Sequence, residues 1–498
     1  MAKLAVQIFK YMLIVLGCIL GVAVVGCAVL VVFPSASIFG VSYSSGNNIP
    51  ATSYYATSNA DFTSAQIVEF KTDGYGIRIR EKNGDDLVPG DMDYGISIHK
   101  KFAGFVYGKV KQPSISVKYN ATTNTLTYEL AEPVGLINNT DTYIDVFVPN
   151  NLFAGKTLKI NTAGAEARIG YAQHGQTPAT LAIKDALVVG HGATSFYNAA
   201  ISNTLTVNKT GGAIKVEKDI GKSADIKISG GLSKIDLASV SAAGAATLGL
   251  KIDANNAEVN TGNVFNGFHY EGNGGLLRMG NIDGEVVIET QGAEVNIAKI
   301  TNSLSTIIDG TDGAVKIGEV AGYISVRQTS GSVSIDKALA KADIITTRGN
   351  ITIKEANDEV NAKTERGKIA VTANEAKSFK ITTQNKYGNT VIKNARDIVN
   401  ASIKDNGPGK IDVEFLRISG ASLIKANTGN ITITVKQMPL TSFYLEWSSK
   451  KANIALGGLE TSTKTGGAGV VDGALTDAAT NKLTVQANGT ISVKQNIS

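Results

Sequence analysis

The chain has 498 residues, with 53 glycines, 9 prolines and only 6% aromatic residues. Its formal net charge of +5 is small, and basic and acidic residues are interspersed, which excludes the clustered basic stripe that nucleic acid binding requires. The two cysteines, Cys18 and Cys27, both lie in an apolar N-terminal run. This placement excludes a disulfide framework or a thiol metal site in the rest of the chain.

Residues 11–33 carry no charge over 23 positions and would span roughly 35 Å as a helix, which is enough to cross a bilayer. We interpret them as a transmembrane signal-anchor helix. Lys3 and Lys10 precede this run, and no Lys or Arg follows from Pro34 to Phe70. The positive-inside rule therefore predicts that residues 1–10 form a cytoplasmic tail and that everything after Pro34 is extracytoplasmic.

Two alternatives remain open for this segment. Val24-Val25-Gly26-Cys27 has the form of a lipoprotein signal, in which Cys27 would be lipidated after cleavage. Cleavage of a signal peptide after Ala36 is the other alternative. Both would still export the chain. Residues 34–60, which are rich in Ser, Asn, Thr and Tyr, are predicted to be an extended spacer.

Residues 61–149 have the alternation of β-strands but no strict repeat, as in Ile115-Ser-Val117-Lys-Tyr119. We interpret this segment as a lead-in β region. It would cap the first coil of the repeats that follow, because an open coil end exposes unpaired backbone groups.

From residue 150 to residue 498 a glycine followed by alternating apolar residues recurs, loosely at first and regularly from about Asp283. In the regular part the steps between successive glycines are 18 to 21 residues, and these glycines are Gly313, Gly331, Gly349, Gly367, Gly388, Gly409 and Gly429. A fixed period of this size is typical of a repeat architecture.

Each repeat places two apolar side chains on one strand face, as Ile351 and Ile353 do after Gly349. The glycine suits a corner with positive φ or a close approach to the neighbouring coil. Because one unit cannot bury its apolar face alone, we predict an all-β fold, a β-solenoid with coils of about 18–21 residues that follows one transmembrane helix.

Tyr143-Ile-Asp-Val-Phe-Val-Pro149, then Leu158-Lys-Ile160-Asn-Thr162, and then many copies of Thr-x-x-Gly-x-Ile-x-Ile/Val resemble the bacterial adhesin-like β-solenoid family. That family is largely a domain of unknown function and is similar to the head domains of autotransporter adhesins. The resemblance covers roughly residues 60–498. It implies a right-handed β-solenoid, an extracytoplasmic location and an adhesin-like role, and it brings no catalytic residues.

The densest aromatic cluster runs from Asn263 to Gly275 and contains Phe265, Phe268, His269 and Tyr270. If exposed, these rings would stack on a glycan or a protein partner. The alternative is that they fill a widened coil.

Two acidic clusters have oxygen ligands of the kind that calcium prefers. The first contains five carboxylates, Glu81, Asp85, Asp86, Asp91 and Asp93, and the second contains Asp309 and Asp312. Neither matches a known calcium-binding loop, so we interpret both as solvated loops and predict no cofactor.

No single residue or motif points to an active site, so we expect no enzyme. A carbohydrate-active β-helix is the weaker alternative, because carboxylates from different coils could still converge on one face. His99, His174, His191 and His269 are far apart in sequence. The function we expect is non-enzymatic adhesion to a cell-surface protein or glycan, and the alternative is a structural module of the cell envelope. The expected partners are thus the chain's own membrane through residues 11–33, a surface ligand, and further copies in a homo-oligomer.

Overall fold

The structure is a computed structural model that describes residues 2–32, 37–38, 41–46, 59–72, 74–82, 94–107, 114–131, 137–171, 179–240, 248–301, 304–436, 442–456, 459–473 and 478–496. The chain divides into two compact units, residues 1–202 and 203–498. Nearly all regular structure is β, and parallel strands dominate, which confirms the predicted β-solenoid that follows one N-terminal helix.

The first unit contains two helices and thirteen strands. They are α1 (Ala2–Val32), β1 (Ser37–Ile38), β2 (Val41–Gly46), α2 (Asn59–Ser64), β3 (Ile67–Thr72), β4 (Gly76–Glu81), β5 (Gly95–Tyr107), β6 (Ser114–Asn120), β7 (Thr125–Ala131), β8 (Ile137–Val148), β9 (Phe153–Ala163), β10 (Ala167–Ile169), β11 (Leu181–His191), β12 (Thr194–Phe196) and β13 (Ala199–Ile201).

Helix α1 contains one stretch, Lys10–Leu30, that is long and apolar enough to cross a membrane. Most of its apolar side chains are exposed, as Val22 is at 69%, whereas Leu30 is buried. The helix begins at Ala2, so the predicted tail of residues 1–10 continues the same helix from that residue.

The predicted spacer of residues 34–60 is wrong for one segment. Strand β2 forms antiparallel pairs with β5 along its full length, from Val41 opposite Tyr107 to Gly46 opposite Phe102. The alternation Val-Ser-Tyr-Ser in β2 suits an outer strand with one apolar face, and this segment therefore belongs to the sheet.

The first unit stacks its strands out of chain order. Strand β3 lies between β7 and β9, and β4 lies between β8 and β10, all in parallel register. Antiparallel β6 then covers β7, and antiparallel β5 covers β8. Strands β3 and β4 of the predicted lead-in region thus belong to the parallel stack of the solenoid. Antiparallel strands cover the outer edges of β7 and β8.

The second unit contains thirty strands. They are β14 (Thr204–Lys209), β15 (Ile214–Val216), β16 (Ser223–Ile228), β17 (Ser233–Leu237), β18 (Leu250–Ala254), β19 (Ala257–Thr261), β20 (Val264–Phe265), β21 (Phe268–Gly272), β22 (Gly275–Asp283), β23 (Val286–Thr290), β24 (Glu294–Ile300), β25 (Thr306–Gly310), β26 (Val315–Val320), β27 (Ile324–Ser330), β28 (Val333–Ala338), β29 (Ala342–Arg348), β30 (Ile351–Ala356), β31 (Val360–Arg366), β32 (Ile369–Ala373), β33 (Ser378–Phe379), β34 (Ile381–Asn385), β35 (Thr390–Val399), β36 (Ser402–Asp405), β37 (Ile411–Ser419), β38 (Ala421–Ala426), β39 (Ile431–Val435), β40 (Phe443–Leu456), β41 (Leu459–Val471), β42 (Lys482–Ala487) and β43 (Thr490–Gln495).

Each coil of the second unit contributes one strand to each of two parallel ladders. In one ladder β23, β25, β27 and β29 stack in register, and in the other β24, β26, β28 and β30 do so. A short third side follows the second strand, where Val320, Ala338 and Ala356 pair in succession. All three sides bury apolar side chains, so a continuous core runs through the stack.

The repeat glycines are required mainly by close approach between coils. A Cβ on Gly349, Gly367, Gly388, Gly409 or Gly429 would clash with the carbonyl oxygen of the corresponding glycine in the preceding coil. Only the first two glycines of the regular series, Gly313 and Gly331, also have positive φ. The corners therefore stack glycine on glycine, and any side chain would push two coils apart.

The C-terminal end is covered by a strand that precedes the last strands in sequence. Strand β40 pairs with β42 through Tyr444–Ser448 and with β43 through Lys451–Ala455, and antiparallel β41 lies on its other side. Trp447 of β40 packs against Gly467 of β41, where a Cβ would clash with the indole ring. The coil that contains Ile491 and Val493 is thus last in sequence but not last in the stack.

Candidate binding face

One surface of the second unit has an unusual order of charges. It is the solvent side of ten stacked strands, namely β18, β21, β23, β25, β27, β29, β31, β34, β36 and β38. Inward side chains such as Ile252 and Ile288 are fully buried, and the residue that follows each of them points outward. We name this surface the charged face.

The residues that follow the buried central positions form one column, one residue per strand and in direct register. The first four residues of this charged column are acidic and form the acidic block, Asp253, Glu271, Glu289 and Asp309. The next six include four cations and no acid, and they form the basic block, Arg327, Ile345, Lys363, Gln384, Lys404 and Lys425. All ten side chains are exposed or half-exposed.

Most of these charges have no ion-pair partner among the described residues. Asp253 is 3.1 Å from the ammonium of Lys227, but no other residue of the charged column forms an ion pair with any residue that the structure describes. Elsewhere in the second unit, opposite charges of neighbouring coils form ion pairs, as in the Lys299–Glu319 pair at 2.9 Å and the Lys337–Glu355 pair at 3.6 Å. The charged column is therefore distinguished by charges that are segregated and, apart from Asp253, not paired within the described residues.

A groove with a volume of about 670 Å³ runs along the acidic block. Its other wall is formed by the side chains that lie two residues after each acid of the acidic block. These are the amides of Asn255, Asn273 and Gln291 and the hydroxyl of Thr311. Gly272 and Gly310 lie between the two walls. The groove offers oxygen acceptors and amide donors to a polar ligand or to the side chains of a partner.

A second outward column lies two residues before the charged column and is more apolar. It contains Val287, Ile307 and Leu423, and Ile307 is 40% exposed. His269 is half-exposed in the same column, beside Lys251 and Val287. The charged face thus combines segregated charges with a modest apolar area, the composition of many non-obligate interfaces.

The structure divides the four predicted partner-contact residues. Phe268 and Tyr270 are fully buried in the core, which excludes them as partner contacts and agrees with the alternative that these rings fill a coil. The hydroxyl of Tyr270 donates to the carbonyl oxygen of Ala254 at 3.0 Å and lies 3.2 Å from that of Gly274. Phe265 is 40% exposed on β20, away from the charged face, and His269 alone of the four lies on that face.

The predicted acidic clusters do not form a metal site within the described residues. No set of three or more His, Cys, Asp or Glu side chains is close enough to hold an ion there. Asp309 belongs to the charged column, whereas Asp312 accepts a hydrogen bond from the hydroxyl of Ser330 at the corner. Glu81 accepts the backbone N–H of Ala179 at 2.6 Å, and Asp85, Asp86, Asp91 and Asp93 lie outside the described residues.

The four histidines occupy different places in the fold. His191 is exposed on β11, His269 is half-exposed on β21, and His99 lies on β5. His174 falls outside the described residues.

We expect that removing one charge from the middle of the acidic block stabilises the chain. Glu289 lies in register between Glu271 and Asp309, and like charges opposite each other on neighbouring strands repel. Glu289→Gln should therefore raise the free energy of unfolding by about 0.5–1 kcal/mol at low salt, and less at high salt. Urea unfolding followed by circular dichroism measures this change.

The matched control for that variant is Glu258→Gln. Glu258 is 3.0 Å from the guanidinium of Arg278, so the loss of its charge should lower stability slightly. Equal changes in both variants would show that the acidic block is not under electrostatic strain.

The charged column did not emerge from the sequence pattern, although a signal for it exists. Each coil has a first strand, which belongs to the ladder of the charged face. Each residue of the charged column follows the second apolar residue of that strand, as Glu289 follows Ile288 and Lys404 follows Ile403. Aligning them requires the register between coils of unequal length, which only the structure supplies. Comparison of the chain with protein-family models, curated proteins and solved structures gives no match.

Proposed function

We propose that this chain is a membrane-anchored, extracytoplasmic surface protein that binds another surface through its solenoid without catalysing a reaction. The observation that carries this proposal is the charged face, which presents eight charges in a regular column over ten coils, seven of them without an ion-pair partner among the described residues. Such a face makes many weak contacts at once, so avidity provides retention where a single pocket would not. The candidate ligands are a cell-surface protein, a matrix component or a glycan.

The apolar helix supports the anchored part of the proposal. Lys10–Leu30 is long enough to span a bilayer, Lys3 precedes it, and no basic residue follows it before Lys71. This charge asymmetry favours a cytoplasmic N-terminus and an outer solenoid. The resemblance to adhesin-like β-solenoids agrees with that orientation.

The orientation is tested with cells that make the full chain with one tag at each end. We expect proteinase K added to intact cells to remove the C-terminal tag and to spare the N-terminal tag. Permeabilised cells serve as the control, because both tags should then be lost. A C-terminal tag that survives on intact cells would refute the proposed orientation.

The binding part is tested separately on the same cells. Cells that display the full chain should bind to a foreign cell layer or a glycan array more strongly than cells that display Glu271→Lys/Asp309→Lys. The control variant, Glu294→Lys/Asp412→Lys, makes the same charge change at two exposed positions on the other ladder. Equal binding by all three would remove the charged face from the proposal.

A structural module of the cell envelope is the second candidate, and the same face favours it. Segregated charge also suits a fixed envelope partner whose charges follow the complementary order. Crosslinking on intact cells separates the two functions, since a structural module gives ladders of homo-oligomers or one fixed envelope partner within a single cell.

A further inference from the structure

We propose that the partner of the charged face is the charged face of a second copy of this chain, packed antiparallel. This inference rests on the proposed surface function and names its partner. The column is acidic over its first four strands and basic or neutral over its last six, so reversing one copy brings opposite charges together.

The register of the ten strands makes the pairing specific. In a face-to-face dimer whose two-fold axis lies in the interface, perpendicular to the stack, each column meets itself in reverse order. The axis then passes between Arg327 and Ile345, the fifth and sixth residues of the column. Every strand acquires a partner, and none is left over.

Opposite charges coincide at three of the resulting pairs. Asp253 meets Lys425 of the second copy, Glu271 meets Lys404, and Asp309 meets Lys363. Glu289 meets the neutral Gln384, and Arg327 meets Ile345. No position places like charges together, and the two-fold axis repeats each favourable pair.

The neighbouring column tolerates the same arrangement. His269 meets Ser402, Val287 meets Thr382, and Ile307 meets Asn361, so no like charges oppose one another there either. The half-exposed apolar side chains of this column lose solvent in the dimer. They supply apolar contacts on either side of the two-fold axis, where Ser325 meets Asp343.

A parallel dimer fits less well. With the two copies running in the same direction, the acidic block of one lies beside the acidic block of the other, and the basic blocks also coincide. Like charges at such distances repel. Charge order therefore selects the antiparallel arrangement.

The available area is sufficient for a specific contact. Ten strands at about 4.8 Å each, with a width of about 17 Å for five residues, give about 800 Å² for each copy. A standard protein interface buries about that area on each partner.

Charge reversal tests the pairing in the full chain, purified in detergent micelles with reductant and studied by analytical ultracentrifugation. The first variant is Glu271→Lys/Asp309→Lys, and the second is Lys363→Glu/Lys404→Glu. Each variant alone should lose the dimer, with an association about tenfold weaker or more, because lysines or glutamates then face each other. A mixture of the two variants should restore the dimer, since every reversed position meets its complement.

The control variant Glu294→Lys/Asp412→Lys should dimerise like the wild type. This result would show that neither the change in net charge nor the membrane helix explains the loss of the dimer in the charge-reversal variants.

A second measurement determines the direction of packing. In chains with serine at residues 18 and 27, from which the reductant has been removed and to which a mild thiol oxidant is added, Glu271→Cys mixed with Lys404→Cys should form a disulfide-linked dimer, and neither variant should do so alone.

The result that would overturn the proposal is a dimer unaffected by charge reversal, or reversed variants whose mixture stays monomeric. A monomeric wild type at low salt would also overturn it, but it would leave adhesion to a different partner intact. Failure of the proteinase test would refute the orientation of the anchor and leave the dimer result standing, so the two failures are distinguishable.

Discussion

Gly388→Ala is expected to lower the free energy of unfolding by about 3 kcal/mol, the upper end of the usual cost of overpacking. The added Cβ would clash with the carbonyl oxygen of Gly367 in the preceding coil and lie 3.2 Å from the Nδ2 atom of Asn385. The obstacle is backbone rather than a flexible side chain, so the coils must separate. Urea unfolding of the full chain in detergent micelles measures the loss.

The effect of this substitution should also be local, because each coil of a solenoid contacts mainly its neighbours. We expect hydrogen exchange to accelerate in the strands on either side of the corner, β34 and β35, before it accelerates in distant coils. Uniform acceleration over the second unit would contradict a stack of nearly independent coils.

Gly231→Ala is the matched control for the corner substitution. A Cβ at Gly231 meets nothing within 4 Å, and the φ angle at this residue is not in the left-handed region. Alanine there should change stability by less than about 0.5 kcal/mol, or raise it slightly through the unfolded state. Equal losses in both variants would show that glycine is needed for its flexibility and not for the close approach.

The sequence predicts the solenoid well where the corners are regular. Gly349 and Gly367 are 18 residues apart, and the apolar pairs that follow them pair in register. The pattern works because one local rule, glycine followed by alternating apolar residues, repeats without depending on distant segments.

The coils around residue 270 follow the same 18-residue steps, although the glycine pattern is irregular there. Ile252, Tyr270 and Ile288 are successive partners in one column. An aromatic residue in a position that both neighbouring coils fill with Ile disguises the repeat. Tyr270 fits because its hydroxyl reaches backbone carbonyls at the corner, a contact that a hydropathy pattern does not contain.

The order of the strands at the two capped ends could not be predicted from the local sequence pattern. Strand β40 is separated from β42 in sequence by β41 and lies beyond it in the stack, and β3 likewise lies beneath a later strand, β7. Such an order depends on long-range pairing that saturates exposed edges, and nothing in the sequence of either strand encodes its position.

Lys209 is a further feature that alternation alone could reveal. Leu205, Val207 and Lys209 occupy successive inward positions of β14, and Lys209 is 1% exposed. Its partner in the next coil is Ile228, so a charged side chain takes a position that is apolar in the neighbouring coil. Burial lowers the pKa of the Lys209 ammonium from 10.5 to about 8.

This shift makes stability depend on pH in a definite direction. Between pH 8 and 10.5 the unfolded chain keeps the proton on Lys209 while the folded chain releases it, so folding becomes more favourable as the pH rises. Below about pH 8 the folded state carries the full cost of a buried ammonium. The shift from 10.5 to about 8 corresponds to up to about 3 kcal/mol.

We therefore expect Lys209→Met to stabilise the chain by up to about 3 kcal/mol at pH 7 and to abolish the rise in stability between pH 8 and 10.5. Methionine fills the space of the aliphatic stem without a charge. Lys227→Met is the control, because Lys227 is 59% exposed and paired with Asp253, and its removal should leave the pH dependence intact. A pH profile that persists unchanged in Lys209→Met would show that another group titrates, since only the substituted side chain differs between the two proteins.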